Sequence, residues 1–349
     1  MRIRTCLRRI KQISFMRKTL KRFAPYMKNG AYTLFPSMRA IAWREESNLA
    51  CAKQYFANRT KSGENSFVAF ANKHTLFRNK EGNGSYEAIY AANNYDKKRE
   101  VKLFSFSEKK ILTVCVSQEE NEAQIREYEH LHHAYGMPTT APFALIPCAH
   151  QISMISLLTR PDDAQALASV ADSCKAFNGD IEKLSSLTKE EVLSFDYSDK
   201  EMNKALATLK KQIRLAMLPN RFPLCLQHGD LSRDNLLYGT SDGKQGFFWI
   251  DWEHKTDRVF FYDFFFYILN SAFCSKVMAP LEAYISGAYD GILTDFFRHF
   301  GLEYDPKCKK DYFFLFSIAF LKERVCDLGH TNAAKKYVEF LSALPFSEP

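Results

Sequence analysis

Residues 227–263 read QHGDLSRDNLLYGTSDGKQGFFWIDWEHKTDRVFFYD, and no other stretch limits the possible folds of the chain as much. A polar cluster, HGDLSRDN, follows the apolar segment Phe222–Leu226. Two short apolar runs then flank a turn rich in Gly, Ser and Asp (Gly239–Gly246): Leu236–Tyr238 before it and Phe247–Ile250 after it. Strand-like runs on either side of such a turn predict a β-hairpin. In an antiparallel pair, the residue entering the first strand lies beside the residue leaving the second. That pairing sets Asn235 next to Asp251, with Asp230 one short loop away. Two carboxylates and an amide oxygen converging there form a hard-oxygen site suited to Mg²⁺.

The charge is unevenly spread. The chain of 349 residues carries a net +8, yet residues 1–60 hold 14 Lys/Arg against Glu45 and Glu46, and the remainder sums to −4. A nucleic-acid partner needs a basic face on the folded body, so this balance argues against one. Between Ile3 and Met27, apolar residues recur every three or four positions with Lys/Arg on the other face, which predicts a basic amphipathic helix. Three readings stay open for it: packed on the folded body with its basic face in water, laid on an anionic membrane surface as a peripheral contact through residues 1–27 on the cytoplasmic side of the inner membrane, or used as an organellar presequence. No apolar run reaches the roughly 18–20 residues of a membrane span. Nine Cys without metal-like spacing predict buried, reduced thiols of a cytoplasmic protein.

Strand-like runs follow at Ser66–Ala71, Thr75–Phe77, Tyr86–Ala91, Glu100–Phe106 and Lys110–Val116, then a strong helix at Glu119–Ala134. Further strands are expected at Phe143–Pro147 and Ile152–Leu158, with Pro161 closing the lobe. Residues 162–221 and the Phe-rich tracts Phe264–Phe273, Met278–Phe300 and Tyr312–Leu328 are helical in pattern. The chain is thus expected to be α+β. Its expected parts are a basic extension (1–62), a β-rich N-lobe with one helix (63–160) and an α-helical C-lobe carrying the hairpin (161–349).

The spacing H-x-D-x-x-x-x-N, a hairpin and a second Asp is the catalytic layout of kinases: His228, Asp230, Asn235 and Asp251. With HGD at the loop and Ile-Asp-Trp-Glu after the hairpin, the chain resembles the aminoglycoside phosphotransferase and choline kinase family, from about residue 80 to 270. That resemblance implies a two-lobed protein-kinase-like fold and ATP-dependent transfer of a phosphoryl group to a hydroxyl. It implies Asp230 as the base that receives or orients the hydroxyl. Asn235 and Asp251 would be Mg²⁺ ligands, while His228 and Asp263 would support the catalytic loop. In the N-lobe it implies a nucleotide site from the glycine turn GNGS (Gly84, Ser85), Lys102 in REVKLF and an acid on the next helix, with Glu127 preferred to Glu129. A second alignment makes Ile111–Val116 the lysine strand and puts Thr113 at the lysine position.

The run between Asp251 and Asp263 is too short for a long activation segment and lacks Ala-Pro-Glu, which favours a small-molecule or glycan acceptor over a protein. An amino-alcohol, an amino sugar and a cell-envelope sugar all stay open. A metallohydrolase is disfavoured, because the histidines outside the helical run His130, His132 and His133 are scattered along the chain. The rival reading is a catalytically inactive kinase-fold scaffold.

Overall fold

The computed structural model describes residues 2–35, 40–56, 77–91, 100–326 and 329–346. The expected strand Ser66–Ala71, most of Thr75–Phe77 and the turn 93–98 lie outside them. The chain divides into two compact units. One comprises Met1–His133, Met137–Leu158 and Gly239–Gln245; the other comprises Ala134–Gly136, Thr159–Tyr238 and Gly246–Pro349. The first is built on a sheet and the second is mainly helical, so the architecture is α+β and kinase-like, as the sequence predicts.

The sheet of the first unit holds β1 (Gly30–Phe35), β2 (Ala40–Trp43), β3 (Phe77–Asn79), β4 (Ala88–Ala91), β5 (Val101–Ser105), β6 (Lys110–Val114), β7 (Thr140–Pro142) and β8 (Ala149–Ser153). Its order is β3-β1-β2-β4-β5-β6-β8-β7, with every neighbour antiparallel. Successive side chains of a strand point to opposite faces. The register lines up Leu34, Ile41, Ile89, Leu103 and Leu112 as an apolar row on one face. Met16, Leu20 and Phe23 of the helix Arg2–Phe23 join the same core. On the other face the register lines up Tyr90, Lys102, Thr113 and His150.

This packing corrects the expected division of the chain. The described residues of 1–62 are not an appendage to the lobe, because they supply β1 and β2 to the interior of its sheet and a helix to its core. Met16, Leu20, Phe23 and Met27, which would enter a bilayer from an amphipathic helix, are already buried in protein. Lys11, Arg17, Lys18 and Lys21 remain exposed. Among the described residues no helix is long and apolar enough to cross a membrane. The expected strand Phe143–Pro147 is also absent: the strand covers Thr140–Pro142, and residues after it turn back toward β8.

In the second unit, β11 (Arg221–Gln227) lies between β10 (Ser186–Thr188) and β14 (Thr256–Val259), and its C-terminal end opens into the HGD loop. The predicted hairpin forms as β12 (Leu236–Ser241) and β13 (Lys244–Trp249), with β9 (Ser156–Leu157) on the other side of β12, turning at Asp242 and Gly243 with φ of 52° and 75°. Positive φ at both turn residues matches the right-handed twist of paired strands, and Asp-Gly is the dipeptide that tolerates it. The Phe-rich tracts build the helical core: Tyr262–Phe273, Ala279–Ser286, Asp290–His299 and Lys309–Phe320. The long tract expected from Met278 to Phe300 breaks at Gly287, whose φ of 93° ends the first helix. Past Phe320 the helix widens into a π-helical segment, Leu321–Cys326.

The packing of the first helix gives a direct test. Replacing buried Leu20 with Ala should cost ~2–5 kcal/mol, read as a lower urea midpoint at unchanged slope. An unchanged midpoint would show that this helix is not part of the core.

Candidate active site

The site is built on the end of β11, where strand pairing stops and the polar loop begins. Gly229 has φ of 78°, and a Cβ there would lie 2.4 Å from Nη1 of Arg258 and 2.6 Å from the His254 carbonyl. Only glycine meets both demands, which explains the middle residue of HGD. The two backbone N–H groups at this bend converge on one buried carboxylate. Asp263 accepts from His228 N at 2.6 Å through Oδ2 and from Gly229 N at 2.9 Å through Oδ1. Its own N–H donates to Gln227 Oε1 at 2.9 Å. Burial pushes its pKa up to about 6, against the Gly229 and His228 donors and nearby Arg258, which hold it down. At neutral pH it is ionised and fully engaged.

His228 is buried and makes two contacts that set its tautomer. Nε2–H donates to the Ile250 carbonyl at 2.8 Å, and Nδ1 accepts from Asp230 N at 3.2 Å. Burial pulls its pKa down to about 4, opposed by the Ile250 carbonyl and Asp251. A neutral ring with both nitrogens occupied braces the loop and has no proton to exchange. Trp252 lies across it at 4.8 Å, and Trp249 and Tyr135 complete a buried aromatic cluster.

The hairpin brings the remaining residues together. Ile250 N donates to Asn235 O at 3.0 Å, so the residue entering β12 is paired one position before Asp251. Asn235 Nδ2 donates to Asp230 O at 2.9 Å, which leaves Oδ1 as the acceptor atom. Asp251 is exposed and holds a left-handed φ of 70°. Such a conformation is sparsely populated outside glycine and recurs at functional sites. Glu253 is exposed. The oxygen donors near one another are thus one carboxylate and one amide. Magnesium is held by such sparse protein sets when substrate phosphates and water complete its octahedron, so the residues fit that ion. Among the described residues no group of three or more His, Cys, Asp or Glu forms a metal cage.

Asp230 lies one loop away from this pair. Burial raises its pKa above the ordinary aspartate value, with Arg324 and His254 opposing and Asp251 adding to the rise. Arg324, on the π-helical segment, donates to Gly229 O at 2.9 Å and lies 3.3 Å from Asp230 Oδ1. Its neighbour Glu323 grips Arg258 with both carboxylate oxygens. Sequence analysis does not single out Arg258, Glu323, Arg324 or Tyr135. Tyr135, Glu323 and Arg324 lie far along the chain from the loop, and Arg258, within the stretch, stands out only through its distant partner Glu323.

The nucleotide residues expected in the first unit have a different setting. Lys102 pairs at 2.9 Å with Glu100, two residues away and just before its own strand. Glu100 also accepts from Gln124 of the helix Gln118–Tyr135 at 3.2 Å. Glu127 is half-buried on that helix, and Glu129 is exposed. The strand leading directly into the helix is β6, which carries Thr113, and Lys102 is its cross-strand partner on β5. GNGS lies between β3 and β4, which are not paired, so it is no hairpin turn. A Cβ on Gly84 would come within 1.9 Å of the Tyr26 carbonyl, so this glycine allows close backbone approach. Ser85 beside it is half-buried.

The sequence model of the phosphotransferase enzyme family matches residues 109–299, which contain the loop, the hairpin and Asp263. The chain belongs to this family. Three solved structures resemble this phosphotransferase. A choline/ethanolamine kinase family protein from Mesorhizobium loti is 13% identical over 71% of this chain and 87% of its own, with a TM-score of 0.39. A choline kinase from Streptococcus pneumoniae is 15% identical over 73% and 94%, with a TM-score of 0.34. A thermostable mutant of an aminoglycoside phosphotransferase, in ternary complex with AMP-PNP and hygromycin B, is 14% identical over 74% and 94%, with a TM-score of 0.42. No curated protein matches the phosphotransferase.

The role of Asp263 is testable. In Asp263→Asn the amide can accept from one N–H but presents its own N–H₂ to the other. The unmatched donor should cost ~1–3 kcal/mol of stability. The displaced loop should lower turnover by roughly 10²-fold. Full turnover with an unchanged melting temperature would reject the account.

Proposed function

We propose that this phosphotransferase moves the γ-phosphoryl group of ATP to a hydroxyl of a small molecule or glycan, with Asp230 as the base. The observation that carries the proposal is the arrangement of Asp230, Asn235 and Asp251 around one loop and one hairpin. Asn235 and Asp251 are the residues that would hold Mg²⁺, which supplies charge neutralisation to the nucleotide phosphates. Asn235 also ties its amide to the Asp230 backbone, so the metal-side ligand and the base keep a fixed spacing. Asp230 is about one-third exposed, which suits a group that must reach an incoming hydroxyl. It would orient that hydroxyl and receive its proton as the oxygen attacks phosphorus, the chemistry of general base catalysis. Neutral His228 and ionised Asp263 hold the loop that carries it. Lys102, with Glu100 beside it, is the proposed phosphate contact of the first unit. Gly84 and Ser85 are less well suited to that role, because Gly84 is spent on the Tyr26 backbone. An inactive scaffold would have no need of a complete Asp230, Asn235 and Asp251 set.

The proposal is tested by ³²P transfer from ATP to a panel of amino-alcohols, sugars and glycans. Asp230→Asn should lower transfer by roughly 10²–10⁴-fold while Mg²⁺-dependent nucleotide binding persists. In the wild type the base works only when deprotonated, so activity falls as pH drops through its raised pKa. The acid limb should therefore lie above the ordinary aspartate value, near 3.9. Transfer undiminished in Asp230→Asn, or no Mg²⁺-dependent nucleotide binding at all, would favour the scaffold.

A further inference from the structure

Two arginines meet the catalytic loop, and they are used differently. Arg258 is buried and forks onto Glu323, with Nε on both carboxylate oxygens at 2.9 and 2.7 Å and Nη2 on one of them. Its charge is spent on a matched partner, the geometry in which a guanidinium binds best. Arg324, the next residue after Glu323, makes no such fork. It has one bond to the Gly229 carbonyl and one 3.3 Å contact with Asp230 Oδ1. Three of its five N–H groups have no protein partner among the described residues.

The side chain is about one-fifth exposed, and that of Asp230 about one-third, so both reach solvent at the same place. A guanidinium held there for the benefit of Asp230 alone would be expected to bind it through both oxygens. The single long contact leaves most of its donors unspent beside the reacting carboxylate. The π-helical segment Leu321–Cys326 supplies this placement: it turns Glu323 and Arg324 in succession toward the loop. Such wide turns within helices recur at functional sites.

The surroundings have the same sign. Tyr337 interacts electrostatically with both Arg324 and Asp230, and its ring stacks on Phe273 at 3.9 Å. Exposed Lys276 lies 5.0 Å over the other partner of that stack, Phe273. The carboxylates that act electrostatically on Asp230 are Asp251, the candidate metal ligand, and Asp263, whose oxygens are taken by the His228 and Gly229 N–H groups. Glu323 is consumed by Arg258. Among the described residues identified here, a cationic acceptor, an ammonium or an aminated sugar, would meet a guanidinium and a lysine and no unspent acid except the base itself.

We propose that Arg324 is an acceptor-binding residue, and that the hydroxyl substrate carries an anionic group, a phosphate or carboxylate, within a few bonds of the hydroxyl that is phosphorylated. The anion takes the unspent N–H groups of Arg324, and the hydroxyl falls against Asp230. Engaging Arg324 in this way also draws its charge from Asp230, which leaves the base freer to accept a proton. The inference rests on Asp230 as the base, and it narrows the acceptor to anionic alcohols.

Binding of three matched probes tests it: glucose 6-phosphate, glucose and glucosamine, titrated calorimetrically into the full chain with the nucleotide site saturated by ADP and Mg²⁺. Glucose 6-phosphate should bind at least tenfold tighter than glucose, and glucosamine more weakly than either. Arg324→Glu should weaken glucose 6-phosphate at least tenfold and strengthen glucosamine, whereas Arg324→Lys should keep the wild-type order. The inference is overturned by the reverse order in the wild type, by no discrimination among the three, or by an order that survives Arg324→Glu. Titration reads binding and not turnover. Its failure would reject the anionic acceptor while leaving the role of Asp230 to stand or fall with Asp230→Asn.

Discussion

A carboxylate with no exposed surface and two backbone donors holds the catalytic loop in place. Asp263 begins the aromatic helix Tyr262–Phe273 and accepts the N–H groups of His228 and Gly229. Those two donors face inward because Gly229 adopts a left-handed conformation at the end of β11. Without Asp263 they would be buried and unpaired, at a cost of ~1–3 kcal/mol each. Without the donors, Asp263 would be a buried charge with little to hold it ionised. Each half of the arrangement makes the other affordable in the apolar interior, and the loop has one stable position as a result.

From that anchor the site is assembled by short local links. His228 is clamped between the Ile250 carbonyl and the Asp230 N–H, which fixes the loop to the hairpin. Asn235 joins the same two segments through its backbone to Ile250 and through its side chain to Asp230. The aromatic cluster of Tyr135, Trp249 and Trp252 packs around His228 and keeps water from its ring. The polar residues that do chemistry sit at the edge of this packing: Asp230 is partly exposed and Asp251 is exposed. The division is a physical one, since supporting groups gain from burial and reacting groups must reach a substrate.

The second unit was largely legible in the sequence, and the first was not. The hairpin, its Asp-Gly turn, the neighbourhood of Asn235 and Asp251 and the buried state of Asp263 all follow from short-range rules of strand pairing and charge burial. The N-terminal residues left the choice open, because a basic amphipathic stripe has the same pattern whether its apolar side meets lipid or a sheet. Lys102 pairs with Glu100, the residue just before its own strand, a contact that the spacing of charges along the chain does not single out. GNGS looked like a turn between neighbouring strands, yet β1 and β2 separate β3 from β4 in the sheet. Strand order is a long-range property that local pattern does not encode.

The sequence by itself determined which residues can do the chemistry. Loop spacing, hairpin length and the need to partner a buried Asp are set within 37 consecutive residues, from Gln227 to Asp263. Tertiary structure alone decided what surrounds them. Glu323 and Arg324 stand about sixty residues beyond Asp263, on a helix that widens into a π-helical segment where they reach Arg258 and Asp230. Whether an arginine's donors are spent on a carboxylate or left for a ligand depends on distances across the fold. No spacing along the chain carries that information, and it is there that the character of the acceptor is written.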